Sequence, residues 1–399
     1  SGTGRGDANG VADNIGYMLD GGNTGAQFSH ELDYSDYNLI QLGGPLSWGG
    51  SKALNDKYGL TDTPFQNTAQ DGFINAPEVN DELTTLKLAA TKILDNEYVN
   101  AVKFGMSYRD REKSKLSEGY FLTLKDFSLS NPGMVSVPEQ YRLGSASLDF
   151  IGMGDMIAYD TRALINDGYY DLLQESLTDQ KHKTQSWTVQ EKVTAFFVQA
   201  DINAEIGSIP VTGNVGVRYV KTEQSSQGSA ANTVDGLVVV TPTDVSHDYS
   251  HVLPSINLSF AIDEEQTLRF GAAKTISRAL LNDMNASINA SYGQQPDDNG
   301  NFWSISGGNP KLEPKEATGF DISYENYFNA EGYFSAAVFY KDINQWIFDG
   351  TYAVDMSGVA NPATGEIPAT SSGTGNGKVN GGGGDLWGYE LSLALPFNV

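Results

Sequence analysis

The stretch that decides the fold is TAFFVQADINAEI, residues 194–206. Apolar residues occupy every second position from Phe196 to Ile206, and polar or charged residues fill the positions between them from Gln199 to Glu205. Successive side chains of a β-strand point to opposite faces. The pattern therefore predicts a strand with one apolar face and one polar face.

The same alternation recurs along the chain. Residues 211–221 repeat it directly after the tight link 207–210, which predicts a β-hairpin. Nine stretches follow this pattern in all, and they are 84–94, 98–108, 194–206, 211–221, 252–262, 267–277, 320–328, 333–343 and 387–397. Each is about ten residues long or slightly longer, which is the length that a tilted strand needs to cross a bilayer.

The links between these stretches alternate between short and long. The long links are 109–190, 222–248, 278–318 and 344–386. Loops of that length argue against a compact soluble domain. Short turns at one end and long loops at the other are typical of outer-membrane barrels, whose turns face the periplasm. We therefore predict an all-β fold, an antiparallel transmembrane β-barrel present in part, with short periplasmic turns and long extracellular loops.

The predicted strands divide the chain into two regions. Residues 1–83 are predicted to be mostly an extracellular loop region with a possible partial strand near 32–42, and residues 84–399 are predicted to be a partial barrel. Residues 1–20 lack the basic start and apolar core of a signal peptide, although an outer-membrane protein must be exported. We therefore expect the natural N-terminus to lie upstream.

Composition narrows the class of protein. Hydrophobic residues make up 39 % of the chain, and no window is an apolar run of about twenty residues, which argues against spanning helices. There are 25 Lys and Arg against 50 Asp and Glu, a formal net charge of −25, which argues against nucleic-acid binding. The chain has no cysteine, so disulfides and thiolate metal sites are excluded.

Four motifs resemble the barrel of TonB-dependent outer-membrane receptors. The segment SGGNPKLEPKEAT at 306–318 leads into a strand that ends in YENYF at 324–328. The next strand contains VFYKDI at 338–343, and GNVGVRY at 213–219 is similar to another recurrent barrel hairpin of the family. Pro310 and Pro314 hold the first segment extended and remove ladder donors, which suits a chain that enters a barrel wall from a loop.

The resemblance implies a function. Such receptors bind a scarce nutrient at the outer face and pass it inward, with energy delivered through TonB, ExbB and ExbD, so no covalent chemistry is implied. The expected location is the bacterial outer membrane, and the expected partners are its lipid, the TonB–ExbB–ExbD complex and a small-molecule or oligosaccharide ligand. The family contacts TonB through an N-terminal plug domain. No plug pattern precedes residue 84, so no residue of this chain is assigned a plug or TonB-contact role from the resemblance.

The acidic chain and its loop aromatics favour a neutral oligosaccharide as the ligand, because many iron chelates are anionic. The alternatives are a siderophore, haem or cobalamin receptor, a passive porin-like channel, and a secreted polysaccharide-binding β-protein. Aromatic rings beside carboxylate and amide groups suit sugar faces and hydroxyls. The candidate ligand-binding residues are Tyr34, Tyr37, Trp48, Tyr169, Tyr170, Asp297, Asp298 and Trp303. Packing within the folded loops is the alternative role for these aromatics.

Other aromatic residues lie within or beside the predicted strands. They are interpreted as a girdle at the membrane interface, and they are Trp187, Tyr219, Tyr324, Trp346, Trp387 and Tyr389.

No metal site, catalytic site or cofactor is predicted. The four histidines are not arranged as His-Glu-x-x-His, and the chain has no nucleophile elbow or phosphate loop. The stretch DDNGN at 297–301 has oxygen ligands around a glycine, but it lacks the bidentate glutamate of a full calcium loop. A solvated acidic turn is favoured there over calcium binding.

Overall fold

The structure is a computed structural model that describes residues 3–5, 13–19, 25–42, 71–125, 135–174, 183–234, 237–328, 332–361 and 364–395. In this part of the chain, no helix has the length and apolar character needed to cross a membrane.

The described residues form 22 strands. In chain order these are β1 (Thr3–Arg5), β2 (Gly16–Leu19), β3 (Ala26–Ser29), β4 (Ile40–Leu42), β5 (Gly72–Asn75), β6 (Glu78–Ile93), β7 (Val99–Leu116), β8 (Gly119–Leu124), β9 (Val135–Ser136), β10 (Arg142–Ser147), β11 (Asp155–Tyr159), β12 (Tyr170–Gln174), β13 (Trp187–Ile206), β14 (Ile209–Val234), β15 (Leu237–Ala261), β16 (Gln266–Ser277), β17 (Ile288–Tyr292), β18 (Trp303–Gly307), β19 (Lys315–Asn326), β20 (Tyr333–Asp355), β21 (Ser372–Gly381) and β22 (Gly384–Ala394). The described helices are α1 (Thr161–Asn166) and three 3₁₀ turns, Glu139–Tyr141, Asp149–Ile151 and Leu281–Met284.

The nine predicted strands are confirmed. They are consecutive neighbours in one antiparallel meander, in the order β6, β7, β13, β14, β15, β16, β19, β20 and β22. The last stretch was expected to reach residue 397, and its end lies outside the described residues. The all-β, antiparallel barrel fold is thus the observed one.

The register of this meander aligns the apolar residues of neighbouring strands. Phe196 lies opposite Met106 on one side and Tyr219 on the other. Further along the sheet, Phe320 lies opposite Tyr340. These side chains remain partly or largely exposed because they face away from the protein, as a lipid-facing band requires. We call this apolar side of the meander the outer face, and the polar side the inner face.

Short turns join the spanning strands at one end. The tightest contains only Gly207 and Ser208 between β13 and β14, and Gly207 has φ +68°. That left-handed conformation is easy for glycine because it has no Cβ.

One predicted long loop is wrong. Residues 222–248 form no open loop, because β14 and β15 stay paired from Val211 opposite Phe260 to Val234 opposite Leu237. Inner-face positions such as Thr222, at 0 % exposed, are covered by other parts of the chain, and this packing supports the pairing beyond the membrane-spanning stretch.

Three strands from the long links close the sheet at the end opposite the short turns. β17 pairs in parallel with the end of β14, β18 pairs with β17, and β21 connects β18 to β20. The eight strands β14, β15, β16, β19, β20, β21, β18 and β17 therefore form a closed hydrogen-bonded ring.

The described part of residues 1–77 forms short strands. Where a partial strand was expected near 32–42, the structure has the three-residue β4. β5 pairs with β8 and ends shortly before β6, which begins at Glu78 rather than at residue 84. A small apolar core joins these strands to the link after β7, and its buried members are Leu42, Leu122, Leu124, Val137, Tyr141, Leu164 and Tyr170.

Candidate functional site

The inner face of the meander is polar and carries paired charges. Lys103 Nζ lies 2.7 Å from Asp201 Oδ2, between neighbouring strands β7 and β13. Arg269 binds the Glu325 carboxylate through two hydrogen bonds of 2.9 and 3.2 Å, between β16 and β19. Because each cation has a carboxylate partner, these parts of the inner face are close to charge-neutral.

The link between β16 and β19 folds back onto the inner face. Leu281, Met284 and Leu312 from this link pack against Trp187 and Val189 of β13. Leu312 is completely buried. Near the start of the link, Arg278 Nε lies 3.3 Å from Glu191 Oε1. The link is therefore held by an apolar cluster and an ion pair.

This packing corrects the role expected for Trp187. The sequence predicts that Trp187 is part of the interfacial girdle, but it is 9 % exposed and lies on the inner face with Val189 and Glu191. The strand period explains the error, because Trp187 is an odd number of residues from the outer-facing Phe196.

Side-chain amides hold the proline-containing segment 308–314 in place. Gln224 Nε2 donates to the carbonyls of Pro310 and Leu312 at 2.7 and 3.0 Å. Asn380 both accepts from the Glu313 amide and donates to the Glu313 carbonyl, each at 2.8 Å. Residues 308–314 belong to no strand, so side chains supply the hydrogen bonds that a regular ladder would otherwise provide.

Three cavities, each lined by both polar and apolar groups, follow the inner side of β20. The outer cavity, near Asp349, has a volume of about 270 Å³. The middle cleft, near Gln345, has about 480 Å³, and the lower cavity, near Lys341, has about 780 Å³. At roughly 3.3 Å per residue, four residues of strand separate neighbouring cavities by about 13 Å. The cavities therefore succeed one another from the loop end toward the short-turn end.

Charged and amide groups line all three. The outer cavity has Lys115, Asp283, Asp349 and Lys378, together with a set of amides and hydroxyls, namely Thr184, Gln185, Asn282, Asn285, Ser287, Asn289 and Ser306. The middle cleft is lined by His247, Lys311, Glu313, Asn344, Gln345 and Asn380. The lower cavity includes Asn257, Arg269, Asp321, Lys341 and Glu390. Such surfaces offer hydrogen-bond donors and acceptors, together with positively and negatively charged groups.

The sequence-predicted aromatics of the first link lie mostly in packed positions. Tyr34 is 8 % exposed, and its hydroxyl donates to Asp13 Oδ2 at 2.7 Å. The Tyr37 hydroxyl lies within hydrogen-bonding distance of the carbonyls of both Gly144 and Ala158, between which its single proton is shared. Trp48 lies outside the described residues.

Tyr169 and Tyr170 belong to the same small core. The Tyr169 ring meets the Tyr141 ring edge to face at 5.3 Å, and Tyr170 is 2 % exposed. Burial raises the pKa of Tyr170. In this structure both rings pack within the loop region, and their role in ligand binding stays a prediction.

The remaining predicted site residues surround the turn at 297–301. Trp303 is 1 % exposed in a cluster with Ile305 and Met356, so its ring does not face solvent here. Asp297 accepts hydrogen bonds from two backbone amides and from the Thr374 hydroxyl, and the hydroxyl contact is the main cause of its lowered pKa. Asp298 is exposed on the turn.

The geometry of the turn at 297–301 does not add ligands for a calcium ion. Among the described residues, no group of three or more histidine, cysteine or carboxylate side chains is arranged to hold a metal ion. Both carboxylate oxygens of Asp297 already accept bonds from the protein. The solvated acidic turn therefore stays the prediction, and calcium binding stays its untested alternative.

The residues of the outer cavity were not found from the sequence. They come from β7, the segment just before β13, β13 itself, the link after β16, β17, β18, β20 and β21, several of which are far apart along the chain. Asn282, Asn285 and Asn289 lie close together in the sequence and are the one local signal that was available.

Comparison with known protein families gives one match. A family model described as "TonB dependent receptor-like, beta-barrel" matches residues 5–399. The chain has no significant match among curated proteins.

Similar solved structures include the siderophore receptor PirA from Acinetobacter baumannii, with 14 % identity, a TM-score of 0.31, and coverage of 74 % of this chain and 42 % of that one. A ferric enterobactin receptor mutant of PfeA from Pseudomonas aeruginosa, in complex with enterobactin, has 14 % identity, a TM-score of 0.30, and coverage of 97 % and 60 %. A Serratia marcescens hemophore receptor HasR, with its hemophore HasA and heme, has 12 % identity, a TM-score of 0.30, and coverage of 79 % and 46 %.

The chain spans less than two thirds of the length of each of these receptors. The family model covers nearly the whole chain. The chain therefore belongs to the TonB-dependent receptors, transport proteins of the Gram-negative outer membrane, and it forms part of their β-barrel there.

Proposed function

We propose that the full-length protein is an active-transport receptor that binds a nutrient at the cell surface and imports it into the periplasm. The observation that carries this proposal is the succession of three cavities with charged and amide groups along the inner side of β20, from the loop end to the short-turn end. A hydrophilic ligand that moves along this wall would find hydrogen-bonding groups at each level. Energy would come from the TonB–ExbB–ExbD complex through a plug region outside this chain.

We further propose a neutral oligosaccharide as the ligand. The net charge of −25 disfavours the approach of anionic chelates. The outer cavity has two lysines, Lys115 and Lys378, and two aspartates, Asp283 and Asp349, so its formal charges cancel. Amide and hydroxyl groups supply the remaining polar contacts, and this lining suits uncharged hydroxyl groups better than a multiply charged ligand.

The test is calorimetric titration of the full-length protein in detergent with neutral oligosaccharides, ferric siderophores, haem and cobalamin. Saturable binding of an oligosaccharide supports the proposed ligand class. Binding of only an iron compound or cobalamin would overturn that class and keep the receptor function.

Uptake distinguishes active import from passive diffusion. Cells that carry the receptor should accumulate a bound ligand only when TonB is present. Equal uptake in cells lacking TonB would contradict active transport and would indicate a porin-like channel.

A further inference from the structure

We propose that the outer cavity is a subsite for one uncharged, hydroxylated ring of the transported ligand, an inference that rests on the neutral-oligosaccharide proposal above. The cavity lies on the inner side of the meander between β7, β13 with the segment just before it, β17, β18, β20, β21 and the link after β16. None of its lining residues was among the aromatic and acidic candidates predicted from the sequence. The assignment rests on its size, its charge balance and its hydrogen-bonding groups.

The size of the cavity limits the ligand to a small unit. Pockets for drug-sized molecules have volumes of about 300–1,000 Å³. The outer cavity has about 270 Å³, slightly below that range. A single sugar ring suits this volume better than a large iron chelate, and the rest of a longer ligand would extend through the opening.

One pair of opposite charges in the cavity is in direct contact. Lys378 Nζ lies 2.8 Å from Asp349 Oδ1, and Asp283 is a further carboxylate near Lys378. Lys115 Nζ is 3.4 Å from Gln185 Oε1. An ion pair leaves lone pairs and N–H groups for a ligand hydroxyl without attracting a charged ligand strongly, because the two charges largely cancel at a distance.

The amides of the cavity are oriented by neighbouring groups. Thr184 Oγ1 donates to Asn289 Oδ1 at 2.8 Å, and Asn285 Oδ1 accepts from the Ser287 amide at 3.1 Å. Fixing the amide oxygen fixes the direction of the amide NH₂ donors as well. Pre-oriented donors cost less entropy on binding, which favours recognition of ring hydroxyls at defined positions.

Trp187 adds an apolar wall to this polar lining. It is held rigidly because most of its ring is buried against Leu312 and its neighbours. A sugar ring has an apolar face as well as hydroxyl groups, so a cavity with one aromatic wall and several amides matches both.

Cysteine protection tests the subsite directly. The chain has no cysteine, so Ser306→Cys and Asn282→Cys each place one thiol in this chain, at exposed positions that line the cavity. The control is Ser145→Cys, which is exposed on the β10–β11 hairpin and does not line the cavity. Full-length variants are labelled with a maleimide, with and without maltohexaose, cellohexaose or xylohexaose.

We expect an oligosaccharide that binds in calorimetry to slow labelling of the two cavity variants. At about ten times its Kd the labelling rate should fall by about tenfold, because only unoccupied protein reacts. Labelling of Ser145→Cys should not change. Two cavity variants are used so that misfolding of one does not decide the result, and heat-modified migration in gels checks the fold of each.

The possible failures are distinguishable. If an oligosaccharide binds the wild type and the variants but leaves both cavity thiols as reactive as before, the subsite is overturned and the proposed function stands. If no neutral oligosaccharide binds the wild type while an iron chelate does, the proposed ligand class fails, and the subsite fails with it.

Discussion

Replacing Gln224 by methionine should loosen the link that covers the inner face. The Gln224 side chain is 4 % exposed, and its Nε2 donates to the carbonyls of Pro310 and Leu312. Methionine has a similar length but no amide, so Gln224→Met keeps much of the packing and removes both hydrogen bonds. The two carbonyls would then lack these donors in a region closed to water.

The expected magnitude follows from these contacts. Leaving a buried polar group unsatisfied costs about 1–3 kcal/mol, so two carbonyls give a loss at the upper end of that range or above. Part of the loss is offset, because Gln224 Oε1 is itself buried without a partner among the described residues and methionine removes it. We expect the free energy of local opening to fall by about 2 kcal/mol, which is roughly thirtyfold in the opening equilibrium.

Amide hydrogen exchange of the full-length protein, measured by mass spectrometry in detergent, reports this opening. Exchange in the peptide 309–313 should rise by about thirtyfold in Gln224→Met. The matched control is Gln227→Met, because Gln227 lies on the same strand and is exposed, with its amide 3.3 Å from Asp244. Equal exchange in the two variants would refute the claim that Gln224 anchors the segment.

Three further predictions concern packing, membrane orientation and strand pairing. Leu312→Ala removes a completely buried side chain from the inner-face cluster, so opening of the same peptide should become easier by about 2–5 kcal/mol, and unchanged exchange would contradict the packing. Val338→Lys places a charge on the outer face, at a cost of about 2–4 kcal/mol near the bilayer midplane. The neighbouring position 337 faces inward, so the charge of Ala337→Lys lies on the inner face. Folding yields in lipid vesicles should therefore fall for Val338→Lys only. Gly213 has φ +153°, and a Cβ there would lie 2.0 Å from the Asn257 carbonyl oxygen. Gly213→Ala should thus lower the midpoint of urea unfolding, while Gly271→Ala, whose Cβ would be 3.5 Å from its nearest neighbour, should not.

The membrane-spanning strands were predictable because lipid imposes a local rule on them. Every second residue of such a strand must be apolar, and this alternation is visible within short continuous stretches such as 194–206. The short turns were predictable for the same reason, since the alternation stops at Ile206 and resumes at Val211. Even so, β14 begins at Ile209, because the pairing continues closer to the turn than the apolar pattern does.

Pairing beyond the membrane could not be predicted in this way. Residues 223–231 of β14 are mostly polar or small, because their outer side meets water, so they lack an apolar alternation. Their inner side is covered by the link after β16, which contacts them only after the chain has folded. Trp187 was misplaced for a related reason, as its burial depends on Leu312, which is distant in sequence.

The candidate site depends even more on distant contacts. The outer cavity combines Lys115, Trp187, Asn289, Asp349 and Lys378, and no local spacing connects these residues. Loop aromatics were the visible signal, but Trp303 and Tyr170 are used in apolar clusters of the folded links. Large aromatic side chains stabilise folded loops as readily as they bind sugars, so composition does not separate the two roles.

The central claim is that the outer face of the meander contacts lipid while the inner face lines a polar interior, and β20 offers the most direct measurement. Single cysteines at positions 336 to 341 of the full-length protein would each carry an environment-sensitive fluorophore, and the protein would be reconstituted in vesicles with brominated acyl chains. We predict strong quenching at Ala336, Val338 and Tyr340 and weak quenching at Ala337, Phe339 and Lys341, in alternation. Uniform quenching along the strand, or the opposite alternation, would contradict the assignment of its two faces.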